Sequence, residues 1–271
     1  MAVKKRILFI AQELAPYMTQ SPLSKLTREI AARLQQSGNE VRIFMPRFGT
    51  INERRNQLHE VIRLSGINIP IADADHPLII KVSSLQPQRI QVYFIDNDDY
   101  FDRDDSDCDE MGSNRANNDE RIIFFTHGTV DTARKLRWDP QIIRCSGWMG
   151  ALSPLYLRKV FSDEPAFKKT KIVYVVDDSK LETPLDPSFP DKLKAEGVRE
   201  TEVKPLRGVD ITTEKLHLMA IKHADAVIIH TPNPHPAVME VLEKGKKPWL
   251  PYDKTTEEGY QALVDFYNSL A

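Results

Sequence analysis

Side chains able to handle a sugar fall where strand-like runs of this chain end. Gln12 and Glu13 follow the run 7–11, Asp96 follows 91–95, Ser146 and Trp148 follow 142–145, Asp177 and Asp178 follow 172–176, and His230 and Thr231 close 226–230. Ligands of open parallel sheets bind at the carboxyl ends of the strands. Carboxylates and hydroxyls there can hydrogen-bond the polar edge of a sugar, and the Trp148 indole can stack on its apolar face. Each residue also has a plainer reading. Trp148 can be a packing residue, and Asp177 and Asp178 can form a solvated loop instead of holding sugar hydroxyls or a divalent ion. Thr19, Gln20 and Ser21 join the first strand to a helical pattern. Ser21 as the N-cap and Pro22 as the first helical residue account for this loop without a ligand.

Other chemistry-bearing clusters point nowhere specific. The acidic loop Asp96, Asp98, Asp99, Asp102, Asp104, Asp105, Asp107, Asp109 and Glu110 lacks the glycine and terminal glutamate of a calcium-binding loop at the needed offsets, and is read as solvated. His223, His230 and His235 match no zinc spacing. Cys145 has no base near it in sequence and is read as a buried strand residue. No metal and no cofactor are expected.

The elements that must position these residues follow from periodicity. Short β-branched runs at 7–11, 41–45, 79–82, 91–95, 142–145, 172–176 and 226–230 alternate with helical patterns at 23–36, 118–136, 152–160 and 212–223. That alternation predicts an α/β fold, a doubly wound, Rossmann-like parallel sheet covered on both faces. Residues 54–75 have a hairpin character, 101–118 form a polar loop, and the proline- and charge-rich stretch 180–209 is expected to be irregular. The chain is read as one domain over 1–243, followed by an extended connector and an amphipathic helix, 255–270, that docks on it.

With 271 residues, 28% of them charged, and a net charge of -2, the chain has enough length for a real core and no electrostatic case for nucleic acid or a membrane surface. Cys108 and Cys145 stand far apart, without disulfide or zinc spacing. The apolar run behind Met1–Arg6 stops at Gln12, short of a signal peptide, and no segment approaches a membrane span. A cytoplasmic protein is expected.

Several motifs together resemble bacterial glycogen synthases and plant starch synthases. The opening β-α-β frame ends in Gly38-Asn39-Glu40-Val41-Arg42-Ile43-Phe44-Met45-Pro46. It is followed by Val92-Tyr93-Phe94-Ile95-Asp96 with Tyr100-Phe101-Asp102-Arg103, then by Asp119-Glu120-Arg121 with Phe124-Phe125. Pro140-Gln141-Ile142-Ile143-Arg144-Cys145-Ser146-Gly147-Trp148 and Ala224-Asp225-Ala226-Val227 complete the order, so the resemblance spans 4–243. It implies the N-terminal domain of a GT-B glycosyltransferase, facing a second domain that holds most of the nucleotide. The family's phosphate-approaching Lys-Thr-Gly-Gly-Leu loop reads Thr19-Gln20-Ser21-Pro22-Leu23 here. Its lysine and both glycines are replaced, and Pro22 has no N–H to offer. Lys25 stands for an aspartate, Ser146 and Gly147 for His-Asp, and Asp177 and Asp178 for His-Asn.

The resemblance therefore implies a glycogen/starch synthase-like domain without autonomous transfer, acting as a glucan, sugar-nucleotide or partner-binding module. The candidate contacts are Glu13, Ser146, Trp148, Asp177 and Asp178, with Thr19, Gln20 and Ser21 at the sugar-nucleotide loop. One alternative is glucose transfer from ADP-glucose to α-1,4-glucan with the other half supplied in trans. Another is a structural or regulatory subunit that binds no carbohydrate. A cleft face lacking its facing domain is expected to self-associate or take a protein partner.

Overall fold

The computed structural model describes residues 4–18, 21–102, 109–251 and 256–270. Thr19, Gln20, Cys108 and Asp104, Asp105 and Asp107 of the acidic loop lie outside them. The first half of the chain forms β1 (Arg6–Ala11), α1 (Pro22–Gln36), β2 (Glu40–Pro46), β3 (His59–Glu60), β4 (Ile67–Ile71), β5 (Ala74–Leu85), β6 (Ile90–Asp96), α2 (Asp98–Phe101) and α3 (Asn118–Lys135). Then come β7 (Ile142–Ser146), α4 (Gly147–Gly150) and α5 (Ser153–Leu155), which runs into a π turn (Tyr156–Val160), and β8 (Lys171–Val176). The remainder holds α6 (Phe189–Ala195), α7 (Glu200–Val203), α8 (Thr213–His223), β9 (Ala226–Ile229), α9 (Pro236–Lys244), β10 (Trp249–Leu250) and α10 (Glu257–Ser269).

The strands lie in the order β10-β9-β8-β7-β1-β2-β6-β5-β3, with β4 paired to β5. Every pairing from β10 to β6 is parallel, while β5 meets β6, β3 and β4 antiparallel. The expected α/β fold is present, and its sheet is mostly parallel with an antiparallel flank. From β1 the chain steps one way to β2 and β6, then returns to the other side of β1 with β7, β8 and β9. Right-handed crossovers on the two sides place helices on opposite faces. Accordingly α1 packs against α10, while α3, α4, α5, α8 and α9 pack among themselves. The strand order reverses between β1 and β7, which makes that crevice the topological switch point.

Helix α1 begins as its residues dictate. The Ser24 N–H donates to Ser21 Oγ at 2.9 Å, and Pro22 occupies the first turn. Leu23, Leu26, Ile30, Ala31 and Leu34 form its buried stripe. Gly38, at φ +95°, then turns the chain into β2, a conformation that suits glycine.

Elsewhere the structure departs from the sequence pattern. The strand expected at 79–82 is part of a 12-residue β5. It forms a hairpin with β4 through Ala72 and Asp73, at φ 49° and 68°. Two consecutive positive φ values are the primed turn that matches strand twist, reached here without glycine. The stretch 180–209 is not wholly irregular, because it contains α6 and α7, with Phe189, Leu193 and Val203 buried. Helix α9 lies outside the expected helices, and its Pro236 sits in the first turn, where proline is favoured. In the tail, Trp249 and Leu250 pair in parallel with Val227 and Ile228, extending the sheet.

Helix α10 is anchored at both ends. The Arg33 guanidinium donates to both carboxylate oxygens of Glu257 at 2.8 and 2.7 Å and lies 4.4 Å from the Tyr260 ring centroid. At the other end, Lys5 Nζ donates to the carbonyls of Tyr267 and Asn268 at 3.2 and 2.7 Å. Among the described residues no helix is long and apolar enough to cross a membrane.

Candidate functional site

The switch-point crevice is closed by the chain itself. Gln12, the first residue past β1, lays its side chain across Gly147, the first residue past β7. The Met149 N–H donates to Gln12 Oε1 at 3.2 Å. A Cβ on Gly147 would stand 2.5 Å from Gln12 Cβ, and the residue holds φ +75°. Glycine is required here twice over, by space and by backbone conformation. The Gly147 N–H donates to Asp177 Oδ2 at 2.8 Å, and the Ser179 N–H donates to Asp177 Oδ1 at 3.0 Å. Asp177 is therefore a buried carboxylate tied to β7 and to its own turn, not a solvated loop residue.

Beside this closed crevice lies a cavity of 820 Å³, where the ends of β1, β8 and β9 meet the start of α1 and the side of α10. Glu13, Ser21, Asp177 and Asp178 all line it. Ser21 does two things at once: it caps α1, and its hydroxyl donates to Glu13 Oε2. Gln12 Nε2 donates to Glu13 Oε1 at 3.4 Å. Burial pushes the Glu13 carboxyl above the usual carboxylate range; the hydrogen bond from Ser21 opposes the rise, and the negative charges of Asp177 and Glu110 add to it. On the far wall, the Thr231 hydroxyl donates to Asp178 Oδ1.

The other candidates lie elsewhere. Ser146 is buried, and its Oγ accepts from Arg144 Nη1 at 2.8 Å. Trp148 is 0% exposed, enclosed by the core with no open face for a sugar ring. Neither lines the cavity. Thr19 and Gln20 fall outside the described residues.

Of the other lining residues, Lys180 and Tyr260 were not singled out by the sequence reading, whereas His230 stood there as a strand-end residue and Asp109 as part of the acidic loop. Lys180 follows Asp177 and Asp178 in one turn and sits on the cavity wall. His230, at the end of β9, also lines it; burial first, and then the Arg144 charge, lower its imidazole to about 4 against the pull of Asp177 and Asp178. Asp109 accepts from the N–H groups of Met111 and Ser113 at 2.9 and 3.0 Å. Tyr260 arrives from α10, a contact no local pattern announces. The Ser179 hydroxyl is buried, with no hydrogen-bond partner among the described residues.

The charge balance of this wall is negative. Glu13, Asp109, Asp177, Asp178 and Glu182 face Lys25 and Lys180. A helix N-terminus ordinarily attracts anions. That of α1 is already met by a serine cap, a proline without an N–H, and a nearby carboxylate. The cleft rim is charged, and the large exposed apolar side chains among the described residues, Ile62, Val209 and Val241, do not line it. The case for a partner therefore gains nothing from an apolar cleft face. Among the described residues no three His, Cys, Asp or Glu side chains are placed to hold a metal ion.

Comparisons with known proteins agree with this architecture. Residues 6–239 match the family model described as starch synthase catalytic domain. The glycogen synthase of Chlorobium luteolum is 33% identical over 231 residues, which cover 80% of this chain and 47% of that protein. That of Chlorobaculum parvum is 32% identical over 240 residues, covering 84% and 46%. The chain thus spans about half the length of the curated relatives it matches. A solved structure, the catalytic domain of starch synthase IV from Arabidopsis thaliana bound to ADP and acarbose, superposes with a TM-score of 0.72 at 15% identity, covering 92% of this chain and 51% of that one. At that identity the likeness is one of fold.

Proposed function

The chain belongs to the starch synthase catalytic-domain family, and from that premise we propose that its cleft binds an α-glucan and that the chain by itself does not transfer glucose. The observation that carries this reading is the Glu13–Ser21 hydrogen bond at the head of α1. It sets a carboxylate and a capping hydroxyl where the family's loop approaches a sugar nucleotide, and Pro22 withholds an N–H from the same place. A diphosphate needs N–H donors and cations. It would instead meet Glu13, Asp177 and Asp178 in a partly enclosed cavity, where like charges repel more strongly than in water.

A glucan suits the same wall. Sugar hydroxyls donate to carboxylates, and Asp178, Glu13 and Glu182 on this wall are acceptors for them. The Arabidopsis relative of this fold is described as bound to both ADP and acarbose; of that pair, the carbohydrate fits the charge of this cleft. Transfer requires donor phosphates, leaving-group charge and acceptor hydroxyl to be stabilised together, and among the described residues the cations of this wall, Lys25 and Lys180, are outnumbered by its carboxylates.

Incubating the purified chain with radiolabelled ADP-glucose and glycogen is expected to give no incorporation. Native electrophoresis through glycogen is expected to retard the chain, and Asp178→Ala with Lys180→Ala to reduce the retardation. Incorporation by the chain alone overturns the inactive reading in favour of transfer from ADP-glucose to glucan. Unretarded migration overturns the glucan reading and favours a role that involves no carbohydrate.

A further inference from the structure

A second cavity of opposite character adjoins the polar cleft. It measures 240 Å³ and lies between the ends of β9 and β10 and the inner side of α10. Ile228, Ile229, Leu250, Ala262 and Leu263 supply apolar walls. Leu26, His230 and Tyr260 border both this chamber and the cleft.

Folded interiors are packed about as densely as organic crystals, and voids larger than a water molecule are few. A void with apolar walls offers water no hydrogen-bond partners; one of about 150 Å³ stays dry and admits benzene. The chamber under α10 is larger than that and is only partly enclosed. It does not close by the helix settling onto the sheet, because α10 is held at one end by Arg33 on Glu257 and at the other by Lys5 on the Tyr267 and Asn268 carbonyls. At the shared border, the Tyr260 ring is stacked by the Arg33 guanidinium, and the His230 imidazole is neutral at physiological pH. An apolar group crossing from cleft to chamber passes a ring and an uncharged imidazole there.

We propose that this site takes an aryl glycoside, its sugar in the polar cleft and its aromatic aglycone in the chamber beneath α10. The inference rests on the carbohydrate reading of the cleft and adds to it the class of ligand. The sugar supplies hydroxyl donors to Asp178, and the aglycone fills space that water occupies poorly. Because the aglycone reaches a preformed void, little ordering opposes its gain in affinity.

Calorimetric titration with maltose and with 4-nitrophenyl α-maltoside tests this. The aryl maltoside is expected to bind at least tenfold more tightly than maltose. In Ala262→Leu and Leu263→Trp, which fill the chamber, the two maltosides are expected to bind alike. Equal binding of the two by the unsubstituted chain overturns the aglycone chamber while leaving the glucan reading standing. So does a tenfold preference that persists in both filling variants, since the aglycone then lies elsewhere. Binding of neither maltoside overturns both readings together. The comparison on the unsubstituted chain decides the matter even if a filling variant does not fold.

Discussion

The carboxyl end of the sheet has two regions that share the Asp177 turn and behave in opposite ways. Between β1 and β7, where strand order reverses and such folds place their ligands, Gln12 lies on Gly147 and Asp177 takes the Gly147 N–H. Toward β8, β9 and α10, the same turn opens onto a polar cavity and an apolar one. The difference teaches that topology places a crevice, whereas the side chains at its lip decide whether it holds a ligand or holds the protein together.

Substitutions that strike the closed region should cost stability, and those in the open region should cost binding. The largest effect is expected from Gly147→Ala. A Cβ 2.5 Å from Gln12 at a positive φ forces both a clash and a strained backbone, a loss of roughly 3 kcal/mol in urea unfolding. Replacing Gln12 by glycine in the same chain, which removes the Cβ it meets, should recover part of it. A Gly147→Ala chain as stable as the original would mean that the crevice is not closed in this way.

The next effect concerns pH. The imidazole of His230 is lowered from 6.5 to about 4, so between those values the unfolded chain binds a proton that the folded chain refuses. Stability therefore falls as pH drops from about 6.5 to about 4. Of that fall, on the order of 3 kcal/mol should disappear in His230→Gln, measured as the difference between the two unfolding curves. Parallel curves over this range would place His230 in a more open environment than the cavity wall.

Ser21→Ala tests the seam between the regions. Loss of the cap should cost about 1 kcal/mol. It also removes the hydroxyl that hydrogen-bonds Glu13 and holds that carboxyl down against burial. The Glu13 carboxyl should then titrate still higher, which carbon-detected NMR can follow. An unmoved titration would leave Ser21 with the capping role alone. The smallest stability effect belongs to Asp178→Ala in the open region, whose hydrogen bond comes from a neighbouring hydroxyl. Its unfolding midpoint should shift by no more than about 0.5 kcal/mol while glycogen retardation weakens. A large destabilisation there would erase the contrast between the regions.

Much of the fold was legible in the sequence, for identifiable reasons. The runs in β1, β2, β6, β7 and β8 are β-branched and apolar because both faces of a central parallel strand are covered. The start of α1 was legible because Ser21 and Pro22 are local signals, and the cap is made three residues away. The β4–β5 hairpin was blurred because its turn residues, Ala72 and Asp73, carry none of the usual glycine signal. Helices α6 and α7 were hidden in a proline- and charge-rich stretch, where few apolar residues mark a face. Of the candidate site, Glu13, Ser21, Asp177 and Asp178 converge on the cavity, whereas Ser146 and Trp148 are buried and do not line it.

By itself, the sequence determined the alternation of strands and helices, the family frame, and the serine cap and proline at the head of α1. Those depend on residue type and on neighbours a few positions apart. Only the tertiary structure decided that Gln12 closes the switch point, that Trp148 is sealed in the core, and that α10 brings Tyr260 and an apolar chamber to the edge of the cleft. Periodicity says which side of an element is buried. What stands opposite that side depends on how elements far apart in the chain pack together, and that packing is where this protein's cleft is made.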